Sequence, residues 1–161
     1  MEEKAVTACF TGPREMKTAE ETVRRRLNTL MAVLTSKGVF RYCCGGAKGF
    51  DLLAAETVME RKQTDPSLQL ILILPYKPRA QRPEADPYFH IKAQADQIIY
   101  TSETYFQGCM HRRNRQLVDR SRYCVALLER HQGGTFYTVQ YALRQHAEVY
   151  DLAVEPFHII M

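Results

Sequence analysis

The sequence lacks the features that mark membrane proteins, zinc proteins and disulfide-rich secreted proteins. No apolar run approaches the ~18 residues that a membrane span needs, and no basic-then-apolar signal segment opens the chain. The five cysteines are an odd number, and they form neither a Cys-x-x-Cys pair nor a Cys/His spacing typical of zinc. We therefore expect reduced thiols, no bound metal, no membrane partner and a cytoplasmic location.

Internal repeats, low-complexity tracts and linkers are also absent. The chain of 161 residues is therefore expected to form one domain, 1–161. Its net charge of +4 is mildly basic and does not by itself indicate a polyanionic partner. The positive charge is nevertheless clustered in two runs, one at 24–26 and one at 112–115. Clustering matters because a local field, rather than the total charge, attracts anions.

Apolar runs rich in strand formers alternate with helical patterns along the whole chain. The predicted strands are Ala5–Phe10, Val39–Cys44, Leu68–Leu74, Gln97–Thr101, Tyr123–Leu128 and an edge strand Val149–Val154. The predicted helices run from a Thr18–Glu21 capping box to Gly38, then over 51–63, from Pro87 to Ala95, over 110–121 and over 133–146. This alternation predicts an α/β, Rossmann-like, doubly wound, mostly parallel sheet of five or six strands with helices on both faces. We expect the strand order 3-2-1-4-5.

Glycines follow the predicted strands instead of being scattered. They are Gly12, Gly45, Gly46, Gly49, Gly108, Gly133 and Gly134. In an open α/β sheet the carboxyl ends of the strands line one crevice, at the point where strand order reverses. Glycine lets backbone amides approach a ligand, and each loop leads to a helix N-terminus with partial positive charge. The pattern favours a phosphate site over a set of tight turns.

The segment Gly45–Asp51 is the most informative of these loops. It is neither a Walker A loop, because Gly-Lys-Ser/Thr is missing, nor a Gly-x-Gly-x-x-Gly fingerprint. Lys48 could screen a phosphate. Asp51 is suited to cap the following helix and could also hold a ribose hydroxyl, and both interpretations stay open.

Four segments together resemble one known superfamily. Gly46–Glu56 resembles the Gly-x-Ala-x-Gly-Ile-Asp signature of DprA/Smf proteins, and Thr11–Arg14 resembles their turn after the first strand. Met110–Asn114 resembles the Met-x-x-Arg-Lys motif of the LOG phosphoribohydrolases, and Gly133–Thr135 falls at the glycine-rich phosphate loop of both groups. The chain is thus identified as a member of the SMF/DprA–LOG (SLOG) superfamily, similar to its compact YpsA-like members. The resemblance implies a Rossmann-like fold that binds nucleotides or nucleotide-derived ligands, with no settled reaction.

Departures from the LOG pattern weaken the expectation of catalysis. LOG enzymes carry a glutamate that serves hydrolysis, and Thr138 stands at that position here. A threonine cannot supply or take a proton near neutral pH. The motif arginine maps onto Arg113, our first choice for a phosphate contact, with Arg14 second. Arginines at a helix start oppose the helix dipole, and this unfavourable placement indicates a nearby anion. The alternative is that the arginines form a solvated face. On this basis Arg113→Ala is expected to weaken binding while leaving the melting temperature nearly unchanged.

The sequence therefore predicts a nucleotide sensor or regulatory binding module without a cofactor. A binding protein is favoured over an enzyme, and a homo-oligomer is expected. A nucleotide N-glycosidic-bond hydrolase resembling LOG is the first alternative, with Asp51, Glu56 or Asp119 as its carboxylate. DprA-like binding of single-stranded DNA is the second, so nucleic acid is the less favoured partner. No catalytic residue is assigned. The predicted nucleotide-binding residues are Thr11, Gly12, Arg14, Gly45, Gly46, Ala47, Lys48, Gly49, Asp51, Arg113, Asn114, Gly133, Gly134, Thr135 and Thr138.

Overall fold

A computed structural model describes residues 2–79 and 85–161 of the chain. Within them a 3-10 helix, Glu3–Val6, precedes the first strand. The strands are β1 Thr7–Thr11, β2 Arg41–Cys44, β3 Gln69–Leu74, β4 Gln97–Tyr100, β5 Tyr123–Ala126, β6 Glu148–Asp151 and β7 His158–Ile160. The helices are α1 Glu20–Ser36, α2 Phe50–Lys62, α3 Phe89–Gln94, α4 Cys109–Asp119 and α5 Gly134–Arg144.

The strands form one sheet in the order β4-β3-β2-β1-β5-β6-β7. All neighbours are parallel except β7, which pairs antiparallel with β6. The predicted Rossmann-like, doubly wound class is therefore confirmed, but the sheet has seven strands instead of five or six, and the order 3-2-1-4-5 is wrong. β4 lies at the far edge beside β3, and β5 is the strand that pairs with β1. Strand order reverses between β1 and β5, so the crevice expected at a switch point lies above those two strands.

Helices cover both faces of the sheet, as the sequence predicts. One core cluster packs α1 and α2 on the sheet through side chains such as Leu27 and Leu53. The other packs α4 and α5 on the opposite face through side chains such as Leu117 and Val139. β3 is buried along nearly its whole length, which explains its continuous aliphatic run. None of the helices in the described ranges has the length and apolar character needed to cross a membrane.

Two local predictions fail for identifiable reasons. The Thr18–Glu21 capping box does not form, because Ala19 is the N-cap residue of α1 and makes no side-chain cap hydrogen bond. The Thr18 hydroxyl instead donates to the distant Glu129 carboxylate. The predicted edge strand at Val149–Val154 ends at Asp151, and β7 covers its outer side. A strand of three residues is too short to give a periodic signal.

The cysteines behave as small apolar side chains. All five are buried and unpaired. Cys9 lies in register with Cys43 on one neighbouring strand and with Cys124 on the other. Burial raises the pKa of Cys43 to about 12, so its thiol stays protonated at neutral pH. This matches the reduced, buried thiols expected from the sequence.

Candidate ligand-binding crevice

A crevice opens at the carboxyl ends of β1, β2 and β5, where strand order reverses. It has two lobes that meet at a ridge formed by Pro13, Arg14, Gly134 and Thr135. The inner lobe, with a volume of about 380 Å³, is lined beyond the ridge by Phe10, Thr11, Gly12, Ala47, Asp51, Met110, His111, Arg113 and Asn114. The outer lobe, about 300 Å³, is lined beyond the ridge by Glu15, Leu127, Glu129, Arg130, Gln132 and Gly133. Cavities of this size are typical of small-molecule sites.

Arg113 contributes a buried guanidinium to the inner lobe. Its side chain comes from α4, and the residue is only 5% exposed. Nη1 donates to the Gly45 carbonyl, and Nε donates to Asn114 Oδ1 at 2.8 Å. Among the described residues, Nη2 has no hydrogen-bond partner. Arg113 therefore combines a structural bond to the β2–α2 loop with donors that remain available beside the cavity.

Asp51 is a buried carboxylate in the same lobe, and it does not cap α2. The helix begins at Phe50 with Gly49 as its N-cap residue, so Asp51 lies within the first turn. Its Oδ2 accepts the Ala47 N–H at 3.2 Å. Burial raises the pKa of Asp51, and the Arg113 guanidinium opposes that rise. The cap interpretation is thus wrong, while a contact with a ribose hydroxyl remains a prediction.

Tyr88 is a residue that the sequence analysis did not single out. It precedes α3, is buried, and donates its hydroxyl to the Ala47 carbonyl. Burial raises the pKa of Tyr88, with the Asp51 carboxylate adding to the rise. The side chains of Asp51, Tyr88 and Arg113 therefore fix the Gly45–Ala47 loop, of which Ala47 lines the inner lobe. Nothing in the local sequence around Tyr88 signals a bond to a residue 41 positions away.

The glycines divide into two groups with different roles. A Cβ on Gly12 would lie 2.4 Å from the Phe50 ring, and one on Gly49 would lie 2.3 Å from the Arg14 carbonyl oxygen. One on Gly46 would meet Leu74 at 2.3 Å. These glycines allow the loops after β1 and β2 to pack closely. Gly133 and Gly134 instead face open space, as a phosphate-binding loop requires.

The structure gathers most of the predicted site residues at the crevice. Ten of the 15 line one or both lobes: Thr11, Gly12, Arg14, Ala47, Asp51, Arg113, Asn114, Gly133, Gly134 and Thr135. The other five, Gly45, Gly46, Lys48, Gly49 and Thr138, line neither. Thr138 is buried, and its hydroxyl donates to the Gly134 carbonyl at 2.8 Å. A side chain at that position faces its own helix and not the cavity.

Glu129 joins two loops of the crevice and was not among the residues predicted for the site. Its Oε1 accepts the Lys17 N–H at 2.7 Å, and its Oε2 accepts the Thr18 N–H at 2.7 Å and the Thr18 hydroxyl at 2.6 Å. We call these three bonds the Glu129 latch. Glu56 and Asp119, which the sequence offered as carboxylates, line neither lobe. The latch explains why Thr18 does not cap α1.

Comparison with known proteins fits this architecture. A family model described as YpsA, the YspA SLOG family, matches residues 14–158. The chain belongs to the YpsA SLOG family. This SLOG domain is also 28% identical over 137 residues to the UPF0398 protein BH1768 of Halalkalibacterium halodurans, a match that covers 81% of this chain and 72% of that protein. The superfamily identification made from the sequence is therefore confirmed.

Two solved structures of DNA processing protein A (DprA) share the fold of this SLOG domain. The X-ray structure of the Streptococcus pneumoniae protein superposes with a TM-score of 0.68 at 16% identity, covering 90% of this chain and 49% of that one. A Helicobacter pylori DprA structure, described for its single-stranded DNA binding mode, gives a TM-score of 0.63 at 17% identity, covering 92% and 65%. This SLOG domain thus spans about half the length of the Streptococcus pneumoniae chain and under two thirds of the Helicobacter pylori chain. At these identities the likeness shows the fold alone.

The two arginine runs of this SLOG domain make different contacts. In the first, Arg24 pairs with Glu20 and Glu60, and Arg25 pairs with Glu155. Arg26 donates to the Leu152 carbonyl at 2.8 Å and lies 3.7 Å from the same Glu155. These pairs belong to an ordinary solvated face. In the second run only Arg113 lines the crevice, because Arg112 is exposed and Arg115 donates to the Tyr137 hydroxyl.

The Glu129 latch predicts a pH-dependent contribution to stability. The hydrogen bonds from Thr18 and Lys17 outweigh burial and lower the pKa of Glu129. A carboxylate with a lowered pKa stabilises the fold above ~4.3, the pKa of an unfolded glutamate, and loses that effect as the pH falls through its folded pKa. Glu129→Gln is therefore expected to cost about 1–2 kcal/mol at pH 7 and less at pH 3.5, which lies below the pKa of an unfolded glutamate. Urea unfolding at both pH values measures the difference.

Glu56→Gln provides the control for this pH experiment. Glu56 is exposed on α2, so its replacement removes the same charge without breaking the latch. The loss of stability in Glu56→Gln should be small at both pH values. A loss in Glu129→Gln that is equally large at pH 7 and pH 3.5 would contradict an ionised latch.

Proposed function

We propose that this SLOG domain binds a nucleotide or a nucleotide-derived ligand in the crevice and acts as a sensor or regulatory binding module. The observation that carries the proposal is the buried Arg113 guanidinium, whose Nη2 has no partner among the described residues, beside a cavity at the switch point. A buried cation with unused donors suits an oxyanion, because charge-assisted bonds are strong where water is largely excluded.

The ridge provides a second reason to expect a phosphate. Gly134 begins α5 and Gly133 precedes it, so unpaired amides of the first helical turn face the crevice. Arg14 also lines the ridge and is exposed. An anion at the ridge would therefore meet both a helix N-terminus and a guanidinium. Together with Arg113, three sources of positive potential converge there.

The inner lobe offers both the apolar surface and the hydrogen-bonding groups that a nucleoside requires. Met110 supplies apolar surface for a ring, while Asn114 and Thr11 supply donors and acceptors for its edge or for ribose hydroxyls. Asp51 is the carboxylate of the inner lobe that could accept a hydrogen bond from a ribose hydroxyl. Apolar walls with a few convergent polar groups are typical of small-molecule sites.

A nucleoside monophosphate phosphoribohydrolase is the second candidate, and one observation favours it. Asp51 lies in the inner lobe with a pKa raised by burial, a condition that suits a proton donor. In such a reaction water would add its oxygen to C1′ of the ribose, and the C1′–N bond would break as the base left with a proton. Binding without turnover is the stronger proposal, because Asp51 already accepts the Ala47 N–H and Thr138 cannot reach the cavity.

Nucleic acid is the less favoured partner. The Helicobacter pylori DprA structure concerns single-stranded DNA binding, and phosphate contacts of that kind need a basic surface outside the crevice. The Arg24–Arg26 run could have formed such a surface. Its arginines are engaged with acidic side chains and a carbonyl, so the run leaves little positive potential for a polyanion.

Calorimetric titration with AMP, GMP, CMP and UMP tests the proposal. At least one monophosphate is expected to bind, and at one hundred times its Kd it should stabilise the fold by about 2.7 kcal/mol. Arg14→Ala is expected to weaken that binding by roughly tenfold, since a charge-assisted bond is worth about 1.5–3 kcal/mol. Arg112→Ala is the matched control, because Arg112 is exposed and lines neither lobe.

The outcomes separate the two candidates. Absence of binding and of thermal stabilisation by all four monophosphates at millimolar concentration would overturn the nucleotide proposal. Chromatography of the same mixtures for the released base measures hydrolysis. Turnover near one per second that Asp51→Asn abolishes would establish the phosphoribohydrolase instead of the binding module.

A further inference from the structure

The outer lobe differs in charge from the inner lobe, although the two share the ridge. Of the side chains that line the outer lobe alone, Glu15 and Glu129 are acidic and Arg130 is basic. Arg130 is exposed and has no acidic partner among the described residues. A group that continues beyond the ridge would therefore meet two carboxylates and one exposed cation.

The Glu129 carboxylate is fixed in this position by the latch. Two backbone N–H groups and one hydroxyl hold both of its oxygens, so the side chain cannot turn away from an incoming anion. The same hydrogen bonds keep it ionised at neutral pH. Each carboxylate oxygen can accept two hydrogen bonds, and Oε1 uses one here, which leaves acceptor capacity for a ligand donor.

We propose that Glu129, assisted by Glu15, is a specificity determinant that excludes an additional phosphate from the outer lobe and admits a neutral, hydroxyl-bearing group. This inference rests on the proposed nucleotide binding. With the nucleoside in the inner lobe and its phosphates at the ridge, the next group along the ligand enters the outer lobe. A further phosphate there is repelled by like charge, whereas a sugar donates hydroxyl hydrogen bonds to the carboxylates. The ligand class is a nucleoside diphosphate that carries a sugar.

The test compares two ligands that differ only beyond the second phosphate. AMP, GMP, CMP and UMP first identify the preferred base by calorimetry. The matching sugar diphosphate is then titrated against the triphosphate, for example ADP-ribose against ATP or UDP-glucose against UTP, without divalent cations. The native protein is expected to bind the sugar diphosphate at least tenfold more tightly than the triphosphate. Attraction by the arginines alone would favour the triphosphate, which carries more negative charge.

Variants assign the preference to the carboxylates. In Glu15→Gln combined with Glu129→Gln, the ratio of the two affinities is expected to fall to within about threefold of one. Thr18→Val keeps the Glu129 charge but removes one bond of the latch, so it controls for loosening of the loops and should keep the tenfold preference. Circular dichroism and the melting temperature confirm that each variant is folded at the titration temperature.

Each result counts for or against the inference. Equal or tighter binding of the triphosphate by the native protein overturns it, as does a preference that survives in the double variant or disappears in Thr18→Val. If a monophosphate binds but the preference is missing, this inference fails and the nucleotide proposal stands. If no monophosphate binds, the nucleotide proposal and this inference both fail.

Discussion

Arg113→Ala is expected to lower the stability of the protein by about 3 kcal/mol or more and to abolish nucleotide binding. The replacement removes a guanidinium that opposes the raised pKa of the buried Asp51 and that donates to the Gly45 carbonyl and to Asn114 Oδ1, and each buried acceptor left without its donor costs about 1–3 kcal/mol. For a domain of this length, each kcal/mol lowers the melting temperature by about 2–4 °C. Urea unfolding and calorimetry measure the two effects.

This expectation corrects the one drawn from the sequence, in which Arg113→Ala left the melting temperature unchanged. Arg113 is 5% exposed, so its removal also affects the packing of the fold. Arg115→Ala is the control, since Arg115 lies on the same helix and donates only to the Tyr137 hydroxyl. It should cost under about 0.5 kcal/mol. Similar losses in both variants would show that the buried network contributes little.

Gly49→Ala is expected to produce the second large effect, a loss of about 3 kcal/mol or more. Gly49 has a φ of 72° and a ψ of −119°, a region that side chains rarely adopt and that costs about 1–3 kcal/mol. Its Cβ would also lie 2.3 Å from the Arg14 carbonyl oxygen. The backbone of the β1–α1 loop would have to move, at a further cost of about 1–3 kcal/mol. Urea unfolding measures the sum.

Gly38→Ala separates backbone strain from close packing. Gly38 also has a positive φ, 92°, but nothing lies within 4 Å of the position of its Cβ. Its replacement should therefore cost only the strain, about 1–2 kcal/mol. The difference between the two variants measures the close approach of the β1–α1 loop to Gly49. If Gly49→Ala costs no more than Gly38→Ala, the loops do not pack as closely as described.

The fold class could be predicted because its signals are local. The continuous aliphatic run at Leu68–Leu74 and the helical spacing of Val23, Leu27 and Leu30 each lie within one element. Strand order has no such signal. The chain adds β4 outside β3 before it crosses to β5, and the sequence pattern is the same for either path. The order 3-2-1-4-5 was therefore wrong although all six predicted strands and all five predicted helices form, and only β7 was not predicted as a strand.

The candidate site was predictable where a residue's role follows from its place at the end of a strand. Thr11, Gly134 and Thr135 reach the crevice for that reason. Roles that depend on long-range contacts were not predictable. Glu129 binds Thr18 across 111 positions, and Tyr88 binds Ala47 across 41. The glycines illustrate both cases, since Gly133 faces open space as expected while Gly49 is needed for packing.

The support of the Gly45–Ala47 loop preorganises one wall of the crevice. That loop is irregular, yet the side chains of Asp51, Tyr88 and Arg113 hold its backbone groups. Its conformational entropy is lost when the protein folds, so a ligand need not order it again on binding. The free energy of binding of any ligand that contacts Ala47 would therefore carry no entropic cost for ordering that wall.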